Sequence, residues 1–317
     1  VLLTTAAGSF PKPDYLTRAR AQHARGAIGA PELEALGRQA TRQWIAFQEA
    51  IGLDILVDGD QQCGDRVTTF AERLQGFAVG GFARANGRGP VAASAIRRPG
   101  PLTVEPWRYA QSLTRKPVKA MLTGPYTLCD WSFNEYSPDR RAAVLALAEI
   151  VRQEALDLER AGAEWIQIDE PAVSVRLDEI DLAVEAMAVV TRGLRARAIA
   201  HICYGDFAPV YPKLLNLSVD QIDLEMSHNG HSLLDLFKRQ PFTKTIGFGV
   251  IDVHNHRVES KEEIKANIRR ALNVLEPEQV YVDPDCGMKT RTVEEAQAKL
   301  RVMVEAAHEL RHELRLN

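Results

Sequence analysis

The chain has 317 residues, four cysteines and a formal charge of −3. Hydrophobic residues make up 45% and charged residues 26%, the balance of a folded globular protein rather than a disordered one. The small net charge gives no electrostatic reason to expect nucleic acid or an anionic membrane surface. No run of the sequence reaches the roughly 18 apolar residues of a spanning helix. Four scattered cysteines do not make a disulfide framework, and no basic-then-apolar leader opens the chain at Val1. A cytoplasmic, reducing location is the expectation.

Apolar, β-branched runs alternate with helical periodicity along the chain. A strand is expected over 2–6, a helix over 31–51 and a second strand over 54–58. Residues 61–116 then break the rhythm with Gly80-Gly81, Gly89-Pro90 and Pro99-Gly100-Pro101, and read as an inserted helix and hairpin. The alternation resumes with a strand over 118–123, a helix over 138–161, a strand over 165–169 and a helix over 177–197. Strands over 198–203, 221–225 and 246–251 follow, then a helix over 261–275, a strand over 280–283 and a helix over 292–314. Eight strands with intervening helices predict an α/β fold with a parallel sheet, closed as a (β/α)8 TIM barrel in one domain spanning 1–317. A doubly wound open sheet is the alternative.

A barrel places its chemistry at the C-terminal ends of its strands. Polar residues do fall there: Asp58 and Asp60, Asp169 and Glu170, His201 and Cys203, Glu225, Asp252 and His254, Asp285 and Cys286. His201 and Cys203 stand two apart, so on a strand they share a face. With Glu225 and Cys286 they offer one imidazole, two thiols and one carboxylate, a set that suits tetrahedral zinc. A carboxylate among the ligands suggests a position that opens for a substrate. Taken singly, cysteines also read as small buried hydrophobes, and Cys63 and Cys129 are given that role.

Longer blocks carry a resemblance. His201-Ile202-Cys203-Tyr204, the run from Val282 to Arg291 that includes Pro284-Asp285-Cys286-Gly287-Met288-Lys289, and Gly8-Ser9-Phe10-Pro11 resemble the cobalamin-independent methionine synthase family. So do Leu122-Thr123-Gly124-Pro125 with Trp131-Ser132-Phe133, and Ile168-Asp169-Glu170-Pro171-Ala172. The likeness runs over nearly the whole chain and is to the C-terminal catalytic barrel, so it implies a short, core-type member without the N-terminal barrel. It implies zinc as cofactor, held by His201, Cys203, Glu225 and Cys286. It implies that Ser9 meets the carboxylate of homocysteine and that Asp169 and Asp60 meet its ammonium. Here the chain departs from the family, reading Asp58-Gly59-Asp60 where the family has His-Gly-Glu. Trp131 matches an aromatic platform for a folate ring, and His254, with Asp252 near it, a histidine of proton transfer. The family's donor-side loop also departs, over residues 84–90.

The chemistry so implied is methyl transfer to the thiol of L-homocysteine, forming L-methionine. A free thiol is mostly protonated at neutral pH, whereas a zinc-held one is a thiolate. The methyl donor is either 5-methyltetrahydrofolate, whose nitrogen leaving group needs a proton, or a methylcorrinoid such as methylcobalamin, which needs none and which a corrinoid protein would carry. Trp131 and His254 favour the folate; the single-barrel length favours the corrinoid. Other readings are a zinc thiol alkyltransferase acting on coenzyme M, a non-catalytic zinc or methionine-binding protein, and a decarboxylase of the porphyrinogen type. Neither nucleic acid nor membrane is an expected partner.

Overall fold

The computed structural model describes residues 1–81 and 89–316, so positions 84–88 of the departing donor-side loop lie outside the described residues. The described strands are β1 (Gln75–Gly81), β2 (Gly89–Arg97), β3 (Ala120–Thr123), β4 (Phe133–Asn134), β5 (Trp165–Asp169), β6 (Arg197–Ile202), β7 (Gln221–Leu224), β8 (Thr245–Ile251) and β9 (Val280–Pro284). Six of them form one sheet in the order β3-β5-β6-β7-β8-β9. These are six of the eight strands expected from the alternation. The other two are reduced to single parallel bridges, Thr4 to Val282 and Leu56 to Val118. The reason is local. The Thr4 N–H and hydroxyl both donate to Asp54 Oδ2 at 2.8 Å, so a side chain takes the backbone N–H that would otherwise extend a ladder.

The chain forms two compact units, each assembled from separated segments. The first comprises residues 1–63, 106–119 and 223–317. In it β8 and β9 pair in parallel, and the Thr5 N–H donates to the Val282 carbonyl beside them. The helix Val293–Glu313 starts on a capping box of Thr292 and Glu295. Its residues Ala296, Leu300, Met303, Val304, Ala307 and Leu310 recur at three- and four-residue steps, and all are buried. That stripe packs the helix against β8, β9 and the helix Ala30–Ile51.

The second unit comprises residues 64–105 and 120–222. Here β3, β5 and β6 pair in parallel, with Thr123, Asp169 and His201 in one register row. The helix Arg140–Ala161 is capped by the Asp139 carboxylate and ends at Gly162, and it buries Val144, Leu147, Val151, Ala155 and Leu158. The insertion is a helix, Arg66–Glu72, followed by the antiparallel hairpin β1–β2, whose second strand pairs with β4. Buried Glu154 on the helix Arg140–Ala161 accepts from the Leu102 and Thr103 N–H groups and pairs with Arg98, tying down the end of the insertion. The helix expected over 177–197 is shorter, Ile180–Thr191, because the backbone turns at Gly193 with φ +84°.

Candidate metal centre

In the first unit, Glu225 follows β7 directly and is 1% exposed. Its Oε1 lies 2.6 Å from His254 Nε2, so the ring N–H donates to the carboxylate. His254 sits in the turn after β8. Its backbone N–H donates to Asp252 Oδ1 at 2.8 Å. Asp252 Oδ2 is 3.7 Å from His228 Nδ1, and the His228 ring stands edge-on to His254 at 4.9 Å between centroids. The turn carrying His228 is held by Asp285, whose carboxylate accepts the N–H groups of Met226, Ser227 and His228 at 2.8–3.0 Å. Burial pushes the Asp285 carboxyl up to about 7, against the pull of those three donors. Cys286 comes next in the chain and is partly exposed.

Ser9 lies against this same segment. Its carbonyl accepts the Met288 N–H at 2.7 Å, and a Cβ on Gly287 would stand 2.0 Å from Ser9 Oγ. Glycine at 287 therefore leaves room for the Ser9 hydroxyl in this orientation. The next residue, Phe10, donates its N–H to the Gly59 carbonyl, which brings the Ser9 loop beside Asp60. Asp60 is buried, holds φ +57°, and donates its N–H to Asp58 Oδ1.

In the second unit, His201 is the next-to-last residue of β6 and Cys203 follows the strand directly; both are buried. Asp169 ends β5. Its Oδ2 pairs with Arg66 Nη1 at 2.5 Å and its Oδ1 accepts from Gln167 Nε2 at 2.6 Å. Glu170 is fully enclosed and accepts from the Tyr126 N–H, the Thr127 N–H and the Thr127 hydroxyl. Burial raises its carboxyl to about 7, with those three donors pulling it down. A Cβ at Gly124 would stand 2.1 Å from Glu170 Cδ, so this contact needs glycine there. Trp131 ends the short helix Pro125–Asp130 that Glu170 anchors, and is partly exposed.

The His201 ring and the thiols of Cys203 and Cys286 each offer one ligand atom, and these atoms lie within 4.8 Å of one another. One nitrogen and two sulfurs fit zinc by donor chemistry. Glu225 is not one of these three, and it accepts a hydrogen bond from His254. Sequence reasoning passed over Arg66, His228, and the anchoring roles of Asp285 and Glu170. Asp285 and Glu170 had a signal, since each adjoins a residue already singled out at a strand end. Arg66 had none, because it comes from the insertion.

The family model described as "Cobalamin-independent synthase, Catalytic domain" matches residues 2–309. A 5-methyltetrahydropteroyltriglutamate–homocysteine methyltransferase of Rhodopseudomonas palustris is 40% identical over 97% of the chain. The chain spans only 41% of that relative's length. A methionine synthase of Saccharolobus solfataricus is 36% identical, with 99% of the chain and 96% of the relative covered. Among solved structures, a B12-independent methionine synthase from Shewanella sp. W3-18-1, in complex with selenomethionine, superimposes with a TM-score of 0.87 at 28% identity, covering all of both chains. The α/β barrel expected from the strand count is thus the fold of its relatives, and the chain belongs to the cobalamin-independent methionine synthase family, whose catalytic domain it matches.

Proposed function

We propose that this chain is a zinc-dependent methyltransferase that moves a methyl group from a 5-methyltetrahydropteroyl donor to the thiol of L-homocysteine, forming L-methionine. The observation that carries the reading is the nitrogen and two sulfurs of His201, Cys203 and Cys286 gathered within 4.8 Å. These three residues, with Glu225 as a fourth ligand, would hold zinc, which would supply a Lewis acid to keep the substrate sulfur as a thiolate at neutral pH. Ser9 receives the substrate carboxylate, and its ammonium lies by Asp60 and by Asp169, which is paired with Arg66. Trp131 stacks the donor ring. The sulfur attacks the methyl carbon in line, the new C–S bond forms and the C–N bond breaks. The leaving nitrogen takes a proton from His254, which Asp252 and Glu225 orient.

The names of the relatives support the folate-type donor. The whole of residues 1–317 is taken as one catalytic domain, since the chain passes back and forth between its two units and neither is a contiguous stretch. A cytoplasmic location goes with this reading, supported by four cysteines none of which is in a disulfide. Among the described residues no helix is long and apolar enough to cross a membrane.

The test is turnover of homocysteine by the zinc-loaded protein, with 5-methyltetrahydrofolate and methylcobalamin side by side. Methionine from the folate is expected. Methionine from methylcobalamin alone replaces the donor and keeps the thiol half of the reaction. Methylation of coenzyme M without methylation of homocysteine overturns the reading.

A further inference from the structure

Both oxygens of Asp169 are already engaged. Oδ2 pairs with Arg66 Nη1 at 2.5 Å, and Oδ1 accepts from Gln167 Nε2 at 2.6 Å. Arg66 is held in place on three sides. Its backbone opens the helix Arg66–Glu72, whose start is capped by the Asp65 carboxylate on the Thr68 N–H. Its Nη2 rests 3.4 Å from Met121 Sδ. Met121 and Gln167 are register partners on β3 and β5, and Gln167 shares a strand face with Asp169. The guanidinium therefore lies across the ends of two paired strands. Arg66 and Asp169 side chains are each only 18% exposed, which shields the pair from salt and water.

A carboxylate bound to a guanidinium presents no net charge to an incoming amine. A second cation at Asp169 must either displace Arg66 or stand beside it as a like charge. We infer that the Arg66–Asp169 ion pair is a specificity determinant that removes most of the selection for an α-ammonium group, so that the site takes thiol and thioether carboxylic acids without an amine alongside homocysteine and methionine. This rests on the reading of Asp169 as part of the substrate pocket.

The test is calorimetric binding of L-methionine and of 4-(methylsulfanyl)butanoate, its amine-free analogue, to the full zinc-loaded chain. Both are products or product analogues, so binding is read without turnover. For the wild type the two dissociation constants are expected within about threefold of each other. In Arg66→Met, Asp169 is released, and methionine binding is expected to tighten about tenfold with the amine-free acid unchanged. Arg66→Lys keeps the charge and is expected to keep the wild-type ratio; Arg66→Gln serves if the Met variant does not fold. A wild-type preference for methionine of about a hundredfold that Arg66→Met and Arg66→Gln leave unchanged overturns the inference. So does failure of the wild type to bind either compound. Homocysteine methylation in the same preparation shows separately whether the proposed function stands.

Discussion

His254 Nε2 and Glu225 Oε1 are 2.6 Å apart, so the proposed proton donor and the proposed fourth metal ligand are hydrogen-bonded to each other. The carboxylate fixes the ring orientation and holds a proton on Nε2. Replacement of His254 by Gln keeps a donor near Glu225 but has no transferable proton. Turnover with the folate donor is expected to fall about 10²- to 10⁴-fold. Zinc content, read by elemental analysis, is expected to stay at the wild-type level, and loss of zinc in this variant would count against the proton-transfer role.

Cys286→Ala removes one of two sulfurs from the trio. Structural and catalytic zinc sites need their full donor set, and the purified variant is expected to lose most of the approximately one zinc per chain of the wild type. Cys129→Ala is the control. Its thiol is buried and pushed up by that burial, the setting of a packing residue, and zinc content is expected to be unchanged. Full zinc in Cys286→Ala would remove Cys286 from the ligand set.

Gly124→Ala drives a methyl group into the Glu170 side chain, 2.1 Å from its Cδ. That chain is enclosed and bonded at both oxygens, so it has no room to yield. A loss of about 2–4 kcal/mol in urea unfolding is expected. An unchanged midpoint would show that the Glu170 contact is dispensable.

Glu170 also predicts a pH dependence. Its carboxyl rises from an ordinary 4.5 to about 7 on folding. The folded state then binds more protons than the unfolded state between those values. Its contribution to stability is full below about pH 4.5 and is lost as pH rises through 7, an effect of about 3 kcal/mol. The gap in stability between wild type and Glu170→Gln should therefore shift against the wild type from pH 5 to pH 7.5. A gap that moves the other way would mean that the three hydrogen-bond donors outweigh burial.

Lys299 is fully buried on the helix Val293–Glu313 and pairs with buried Glu259 at 2.9 Å. Its ammonium also donates to the Asp252 carbonyl, and Glu259 accepts the Asp252 N–H. The pair thus closes the loop that carries Asp252 and His254. Lys299→Met strands the Glu259 charge, and a loss of about 3–5 kcal/mol is expected in chemical unfolding. The double variant Lys299→Met, Glu259→Leu should recover part of that loss. Failure to do so would mean that the hydrogen bonds to the loop backbone, rather than the ion pair, hold the loop closed.

Much of the fold was legible because periodicity is a local property. The stripe Leu300, Met303, Val304, Ala307 and Leu310 announces a one-sided helix before any packing is known. The strands at 165–169 and 280–284 stand out in the same way. The strands at 2–6 and 54–58 were legible as positions but not as ladders, because the Asp54 side chain competes for the Thr4 donors. The helix after Leu177 was overextended, since nothing in its pattern marks Arg192–Gly193 as the turn.

The sequence by itself determined the donor inventory: an H-x-C pair, a later cysteine beside an aspartate, and polar residues at successive strand ends. Those follow from residue type and spacing, and both survive without coordinates. The partnerships were decided by tertiary structure alone. His254 turns to Glu225 across 29 residues, and Arg66 reaches Asp169 across 103. Separations of that size carry no periodic signal, and whether a carboxylate meets a metal, an imidazole or a guanidinium depends on which loops the packed strands bring to one end.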